Sequence, residues 1–394
     1  NALLRARLAE LWLASGEFGR SEAEAKAALA ADPQLSLAHS VLGFVELSRI
    51  QLSAAKDSFV EAIRLEPNAP LPRLGLGLAK IREGEMEAGR KDIEIAVILD
   101  PNNSLVRSYM GKAYFDEKRD KLAASQFEMA KGLDPNDPTP WFYEAFSKQV
   151  ANQPVEALNE LRESVALNDN RAVYRSQLLL DDDAAARNAG VSAVYNELGF
   201  EGLAVREGTE ALAENFGNSS AHRLLANAYA ALPRYDISRV SEAFQAQVRQ
   251  PLSTPPLNLL TSTDNLGVLQ GAGPSRIGLN EFNSLFNRNQ LRIRADGMTG
   301  SRGTAGDQFI VSGLEKNVGF AVSQLHFETD GFNDNNAAKK DVYDGFLQFE
   351  VSPATSLQLD VKPALQAEDR NCSQFYQYKI NLLTSHANAD AFRF

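Results

Sequence analysis

Cysteine is all but missing from these 394 residues: Cys372 stands alone, which excludes an internal disulfide framework and any cysteine-rich zinc site. Histidine is scarce as well. His39, His222, His326 and His386 lie far apart, without the His-Glu-x-x-His pattern or the i,i+4 pair that holds a metal on one helix face. No run of about 18 apolar residues offers a transmembrane helix. Positive charge is in deficit, the formal net charge being −11, so no nucleic-acid partner bound by phosphate neutralisation is expected. Catalytic spacing is lacking too. Gly75-Leu76-Gly77 has no further glycine and no Lys-Ser/Thr at the distance a nucleotide loop needs, and there is no Gly-x-Ser-x-Gly elbow. Asp181-Asp182-Asp183 lacks the spacing of a calcium loop and reads as a solvated acidic stretch. The chain is therefore not expected to be an enzyme, and no catalytic residue, cofactor or metal is assigned. Asn1 already stands inside a helical pattern, without an initiator methionine or signal peptide, so the N-terminus reads as a cut.

What is present is a period. An acid-proline pair recurs at Asp32-Pro33, Glu66-Pro67, Asp100-Pro101 and Asp134-Pro135, each 34 residues after the last. Between the prolines the same types return. The second unit has Leu42-Gly43, Ala55, Phe59 and Ala62; the third has Leu76-Gly77, Gly89, Ile93 and Ala96; the fourth has Met110-Gly111, Tyr114, Ala123, Phe127 and Ala130. Small residues in register let two helices approach, larger apolar ones fill the space between, and proline ends the second helix. This pattern resembles the tetratricopeptide repeat (TPR), a helix-turn-helix unit of this length. The first unit is looser, with Trp12, Ala28 and Pro33. A fifth runs from Pro138 through Trp141, Ala145, Ala157 and Leu161, with Asp169 where the closing proline belongs. Residues 1–171 thus read as five TPR repeats, and residues 172–250 as degenerate helical repeats that continue and cap the solenoid.

Residues 251–288 are rich in Pro, Ser, Thr and Gly and read as a linker or plug-like loop. From 289 to 362 the period becomes two. Leu291, Ile293 and Ala295 alternate with Arg292, Arg294 and Asp296; Tyr343, Gly345, Leu347, Phe349 and Val351 alternate with Asp344, Phe346, Gln348 and Glu350; Leu357, Leu359 and Val361 close the series. These are antiparallel strands, about five of them. Ser352 to Thr355 makes a tight connection and Thr329 to Lys340 a long polar one. A soluble β-sandwich and a transmembrane β-barrel both fit; charged inward positions and unequal loops favour the barrel. Residues 363–394 do not continue the alternation and stay unassigned.

The segments Asn280-Glu-Phe-Asn-Ser-Leu-Phe-Asn287, His326-Phe-Glu-Thr-Asp-Gly-Phe332 and Val351-Ser-Pro-Ala-Thr-Ser-Leu-Gln358 look like those of bacterial outer-membrane proteins. In that group, periplasmic TPR repeats precede a porin-like or TonB-dependent-receptor-like barrel. The stretch from Tyr174-Arg175-Ser176 to Leu180-Asp181 resembles the link between the two parts. The fold class this implies is α + β multidomain: a TPR solenoid followed by antiparallel strands of a partial β-barrel, truncated because a single chain needs at least about eight strands. The implied location is the bacterial cell envelope, with the TPR array in the periplasm and the β-region in the outer membrane.

TPR first helices line a concave groove. Carried over by register, the groove holds Phe44 and Leu47 in the second repeat and Leu74, Leu78 and Arg82 in the third. Lys112 and Phe115 follow in the fourth, and Phe142 and Phe146 in the fifth. An apolar, aromatic groove suits a peptide or helix of a protein partner; ordinary packing within the solenoid is the competing account of Phe44, Phe115 and Phe146. Three functions follow. The first is a non-enzymatic scaffold tethered to an outer-membrane barrel. The second is an exporter that passes a polysaccharide or other polymer through that barrel. The third is a soluble TPR chaperone or assembly factor with a C-terminal β-sandwich.

Overall fold

The computed structural model describes residues 1–167, 184–230, 232–250, 252, 288–332, 336–352, 355–368 and 371–384. Two compact units divide them. One is helical and runs to Ala246; the other holds the strands after Arg288 together with the residues from Gln247 to Leu252.

Fourteen helices are found among the described residues: α1 (Ala2–Ala14), α2 (Phe18–Ala31), α3 (Ser36–Ser48), α4 (Leu52–Leu65), α5 (Pro70–Glu83), α6 (Met86–Leu99), α7 (Ser104–Asp116), α8 (Asp120–Leu133), α9 (Pro138–Val150), α10 (Pro154–Ala166), α11 (Ala184–Glu197), α12 (Glu201–Glu214), α13 (Ser219–Ala230) and α14 (Asp236–Arg249). Helices α1 to α12 pair as hairpins, and each hairpin packs on the next, the second helix of one against the first helix of its successor. Helices α11–α14 occupy the stretch read as degenerate repeats. The linker read at 251–288 lies outside the described residues, apart from Leu252 and Arg288, and so does Asp169.

Each hairpin turns the same way. The turn after the first helix holds a left-handed residue at Gly16, Ile50, Gly84, Lys118, Asn152, Gly199 and Arg234. In the third hairpin Gly84 N–H bonds to Ile81 O at 2.9 Å and Glu85 N–H to Lys80 O at 2.9 Å, the paired bonds of a Schellman motif. The same two bonds close the turns at Ile50, Lys118 and Asn152. Glycine fits such a position freely; a β-branched isoleucine at φ 61° is held there against its preference.

In two of the acid-proline pairs the acid shapes the link between repeats. Asp32 Oδ1 accepts from Gln34 N at 3.0 Å and Asp134 Oδ1 from Asn136 N at 3.1 Å, folding the inter-repeat link into an Asx turn. Asn215 makes the same bond to Gly217 N at 2.8 Å, where the period is no longer legible. Asp137 caps α9 by accepting from Thr139 N at 2.9 Å, and its other oxygen accepts from Ser104 Oγ of the preceding repeat at 2.8 Å. It is fully buried. Asp137→Ala is therefore expected to lose a cap and orphan a buried hydroxyl together, about 2 kcal/mol or more in urea unfolding.

Packing follows small and large residues in alternation. The Phe59 ring lies between Gly43 of its own hairpin and Gly75 of the next; a Cβ at either glycine would fall 2.7 or 2.3 Å from it. Phe127 lies over Gly111 in the same way. In the third hairpin the aromatic is replaced by Ile93, and α5 and α6 close to backbone contact at Gly77 and Gly89.

The second unit holds six antiparallel strands in sequence order: β1 (Gln290–Thr299), β2 (Ala305–Glu315), β3 (Val318–Thr329), β4 (Ala338–Ser352), β5 (Thr355–Glu368) and β6 (Asn371–Thr384). Among the described residues the sheet is open, with β1 and β6 as its edges: the expected antiparallel strands are there, and they do not close into a barrel. Closure requires the first and last strands to pair, and about eight strands are needed for an interior that side chains can fill. One correction concerns the end of the chain. Strand β5 runs on to Glu368 and β6 lies wholly within the stretch left unassigned. Tyr376, Tyr378, Ile380 and Leu382 do alternate with Gln377, Lys379 and Asn381, but Pro363 and Asp369-Arg370 interrupt the pattern before it.

The two faces of the sheet differ in polarity. One face carries Leu291, Ile293, Phe309, Val322, Leu347, Phe349, Leu357 and Leu359, all exposed, with Ile293 at 64 %. The opposite face buries Gln308, Ser312, Lys340, Asp344, Gln348, Gln358 and Asp360 beside Leu325, Phe327 and Phe346. Part of what covers it is polypeptide: Gln348 Nε2 donates to Gln250 O at 3.0 Å, Gln358 Nε2 to Gln247 O at 3.3 Å, and Gln247 Nε2 to Asp360 Oδ2 at 2.8 Å.

Candidate interaction surface of the solenoid

The residues read as a groove stand in rows across the first helices. One row is Phe44 on α3, Leu78 on α5, Lys112 on α7 and Phe146 on α9, each one period after the last. Leu74 and Phe142 belong to a second row, Leu47 and Phe115 to a third, and Arg82 to a fourth. So the register places all nine on the first helices. It does not leave them open: all nine are buried.

Their surroundings explain the burial. Phe44 meets the Phe59 ring edge-on at 4.9 Å, and Leu47, Leu74 and Leu78 join the same core. Phe142 and Phe146 stand edge to face at 4.9 Å, and with Phe115 they belong to the core of the later repeats. Arg187, from α11, brings its guanidinium to 5.4 Å from the Phe142 ring and donates from Nε to Ser164 Oγ at 3.0 Å. No sequence signal pointed to Arg187, because a stretch without any period separates it from the repeats.

The two cations differ from surface lysine and arginine. Lys112 is 0 % exposed and its Nζ lies 2.6 Å from Asp116 Oδ2. Burial pulls its pKa below the ordinary lysine value, and Asp116 opposes that pull. None of Arg82, Lys112, Phe142 and Phe146 is without a partner. A charged network lies nearby on α8–α10. Lys131 Nζ reaches Glu144 at 2.6 Å and Glu160 at 2.5 Å, and sits 4.0 Å from the centre of the Trp141 ring. Lys148 completes it through Glu144, at 3.2 Å, and Glu160. Burial works against the charge of Lys148, but the hydrogen bond to Glu160 and the two carboxylates prevail and raise its pKa. These pairs tie successive helices together.

Among the described residues no group of three or more His, Cys, Asp or Glu is placed to hold a metal ion. The histidines are engaged locally. His222 bonds Glu242 at 2.5 Å and Phe216 O at 2.9 Å, and His326 bonds Asp341 at 2.6 Å.

No family model matches the chain, and no curated protein does. Solved structures resemble it. The APC/C hetero-tetramer Cut9-Hcn1 matches 64 % of this chain at 16 % identity with a TM-score of 0.54, and the match spans less than half, 46 %, of that chain. A tetratricopeptide repeat protein from Parabacteroides merdae ATCC 43184 matches 62 % of this chain and 91 % of its own at 13 % identity and a TM-score of 0.46. Pseudomonas aeruginosa pilF matches 55 % of this chain and 92 % of its own at 17 % identity and a TM-score of 0.44. At such identities the likeness is one of fold. The helical unit has the TPR fold.

Proposed function

We propose that the chain is a non-enzymatic scaffold: a TPR solenoid that engages a protein or peptide partner, held at the outer membrane of a bacterial cell by its β-sheet. On this reading the solenoid works in the periplasm, and the rows through Phe44, Leu78, Lys112 and Phe146 mark the side of the first helices that the partner follows.

The observation that carries the membrane part is the polarity of the sheet. A soluble sandwich buries its apolar face and wets its polar one. Here the exposed face is apolar and the buried face holds amides, carboxylates and a lysine, the distribution that lipid outside and water inside require. The apolar band runs along β4 from Tyr343 to Val351. At about 3.4 Å per residue that is roughly 27 Å of strand, or roughly 20 Å of height at a tilt of about 40°. Outer-membrane barrels carry a band of about 25 Å. Beyond it, the same face turns polar at Gln324, His326, Glu328, Lys339 and Asp341, on the side of the long β3–β4 connection. The wall of a barrel would be completed by strands paired to the free edges of β1 and β6.

The test is extraction. Expressed with an export signal in a Gram-negative host, the chain is expected to stay in the membrane pellet after carbonate or urea. Val322→Arg with Leu347→Arg, in the middle of the band, is expected to release it, each arginine costing about 2–4 kcal/mol in lipid. Gln324→Arg, in the polar rim, is expected to change nothing. A wild-type chain that leaves the pellet as readily as the double variant would end the membrane reading and promote the soluble adaptor.

A further inference from the structure

Helix α7 is buried almost all round, whereas its hairpin partner α8 buries only Ala123, Phe127 and Ala130. The groove side of α7 is no exception. Lys112 and Ser108 are both fully buried there, Ser108 standing between Leu74 and Phe142 in the second row. A lysine loses all exposure only when both its stem and its head are covered. Asp116, one turn along the same helix, answers the charge but does not lie over the row.

One described residue from beyond the repeats reaches this place. Arg288 groups with the helical unit, although Leu252 before it and Asn289 after it belong to the sheet unit. Its guanidinium is near enough to act on Lys112. Burial does most to lower the pKa of that lysine, Asp116 opposes it, and the charge of Arg288 adds to the lowering. The chain therefore comes back to the first helices just before β1 begins.

The residues that lead into Arg288 suit a groove. Leu279, Phe282 and Phe286 stand at i, i+3 and i+7 with Leu285 beside them, one stripe of a helix, and Asn280 and Ser284 lie opposite. Anchors so spaced are the pattern of an amphipathic helix laid in an apolar groove. As a helix, residues 276–288 would be about 20 Å long, about two spacings of packed helices. That length crosses α5, α7 and α9.

We propose that the groove of the solenoid has a resident occupant, residues 276–288 of this same chain, docked by their leucine and phenylalanine stripe across the first helices. This occupancy presupposes the groove proposed for a partner and is independent of where the sheet resides. An outside partner then competes with a tethered segment, whose effective concentration is of millimolar order. Binding in the groove becomes an exchange of one apolar stripe for another.

The test is the reactivity of Lys112. The full chain, in a non-ionic detergent, is pulsed with an amine-acylating ester, and each lysine is followed by peptide mass spectrometry. In the wild type Lys112 is expected to react far more slowly than Lys91, whose side chain is 61 % exposed. Phe282→Glu with Phe286→Glu is expected to raise the Lys112 rate by roughly tenfold or more. Asn280→Glu with Ser284→Glu puts the same charges on the opposite side and is expected to leave it within about twofold. Lys131, held between Glu144 and Glu160, should stay slow throughout, which reports an intact solenoid. A Lys112 already as fast as Lys91 in the wild type would overturn the resident segment alone, leaving the groove open to an outside partner. A Lys112 that stays slow in the stripe variant would mean that solenoid packing covers it, and would overturn the segment and the groove together. Equal rises in the two variants, or a rise at Lys131, would also overturn the proposal.

Discussion

Phe59→Ala is expected to cost about 3–5 kcal/mol, the range for emptying a buried aromatic site. Few residues in the solenoid touch as much. The ring is fully buried, stands edge-on to Phe44 at 4.9 Å, and lies in the space left by two glycines on different hairpins. One truncation therefore loosens a hairpin and the joint to its neighbour at once. The glycines cannot collapse into the gap, because they have no side chain to lend. That dependence gives a sharper test than the loss itself. Gly75→Ala alone should destabilise, its Cβ falling 2.3 Å from the ring. Added to Phe59→Ala, it should restore part of the loss by filling the cavity and improving helix propensity, by about 1 kcal/mol. Urea unfolding followed by far-UV circular dichroism measures all three variants. Additive effects would mean that Phe59 and Gly75 are not in contact.

Two glycine-to-alanine changes should move stability in opposite directions. An exposed helix glycine replaced by alanine gains about 1 kcal/mol from propensity. Gly132, in α8, has nothing within 4 Å of a Cβ, so Gly132→Ala should show that gain nearly whole. Gly89, in α6, has the carbonyl oxygen of Gly77 at 2.4 Å and Ile81 at 2.7 Å. A backbone oxygen cannot swing aside as a side chain can, so α5 and α6 must separate. Gly89→Ala is expected to be destabilising by about 1–3 kcal/mol net, and Gly89→Val by more. Thermal melts of the three single variants, read against wild type, settle the order. If Gly89→Ala melts with or above wild type, the backbone contact is wrong.

The solenoid was legible because its causes are local. Proline at a fixed step, an acid before it, and glycine facing an aromatic all leave their mark in the residue types. The turn conformation was not: Ile50 and Lys118 are left-handed because the hairpin requires it, and neither residue type says so. Register likewise placed Phe44, Lys112 and Phe146 on the first helices, while their burial depends on neighbours such as Phe59 and Arg187 that repeat counting does not weigh. In the β-region, alternation disclosed two faces to each strand but not which one is covered. Gln348 and Gln358 lie on the buried side through bonds to Gln250 and Gln247, about 100 residues away in sequence, and no local pattern encodes that.

The uniform hairpin turn bears on how such a gene can change. The paired backbone bonds at Gly84 recur at Ile50, Lys118 and Asn152, so the bend is made by the main chain even where the side chain disfavours it. Unequal recombination that copies or removes one whole period then yields a chain that still turns correctly at every junction. Only the seam between the newly adjacent helices has to be fitted afterwards, one size match at a time. Length in this solenoid is inherited cheaply, and selection falls on the fit between neighbours.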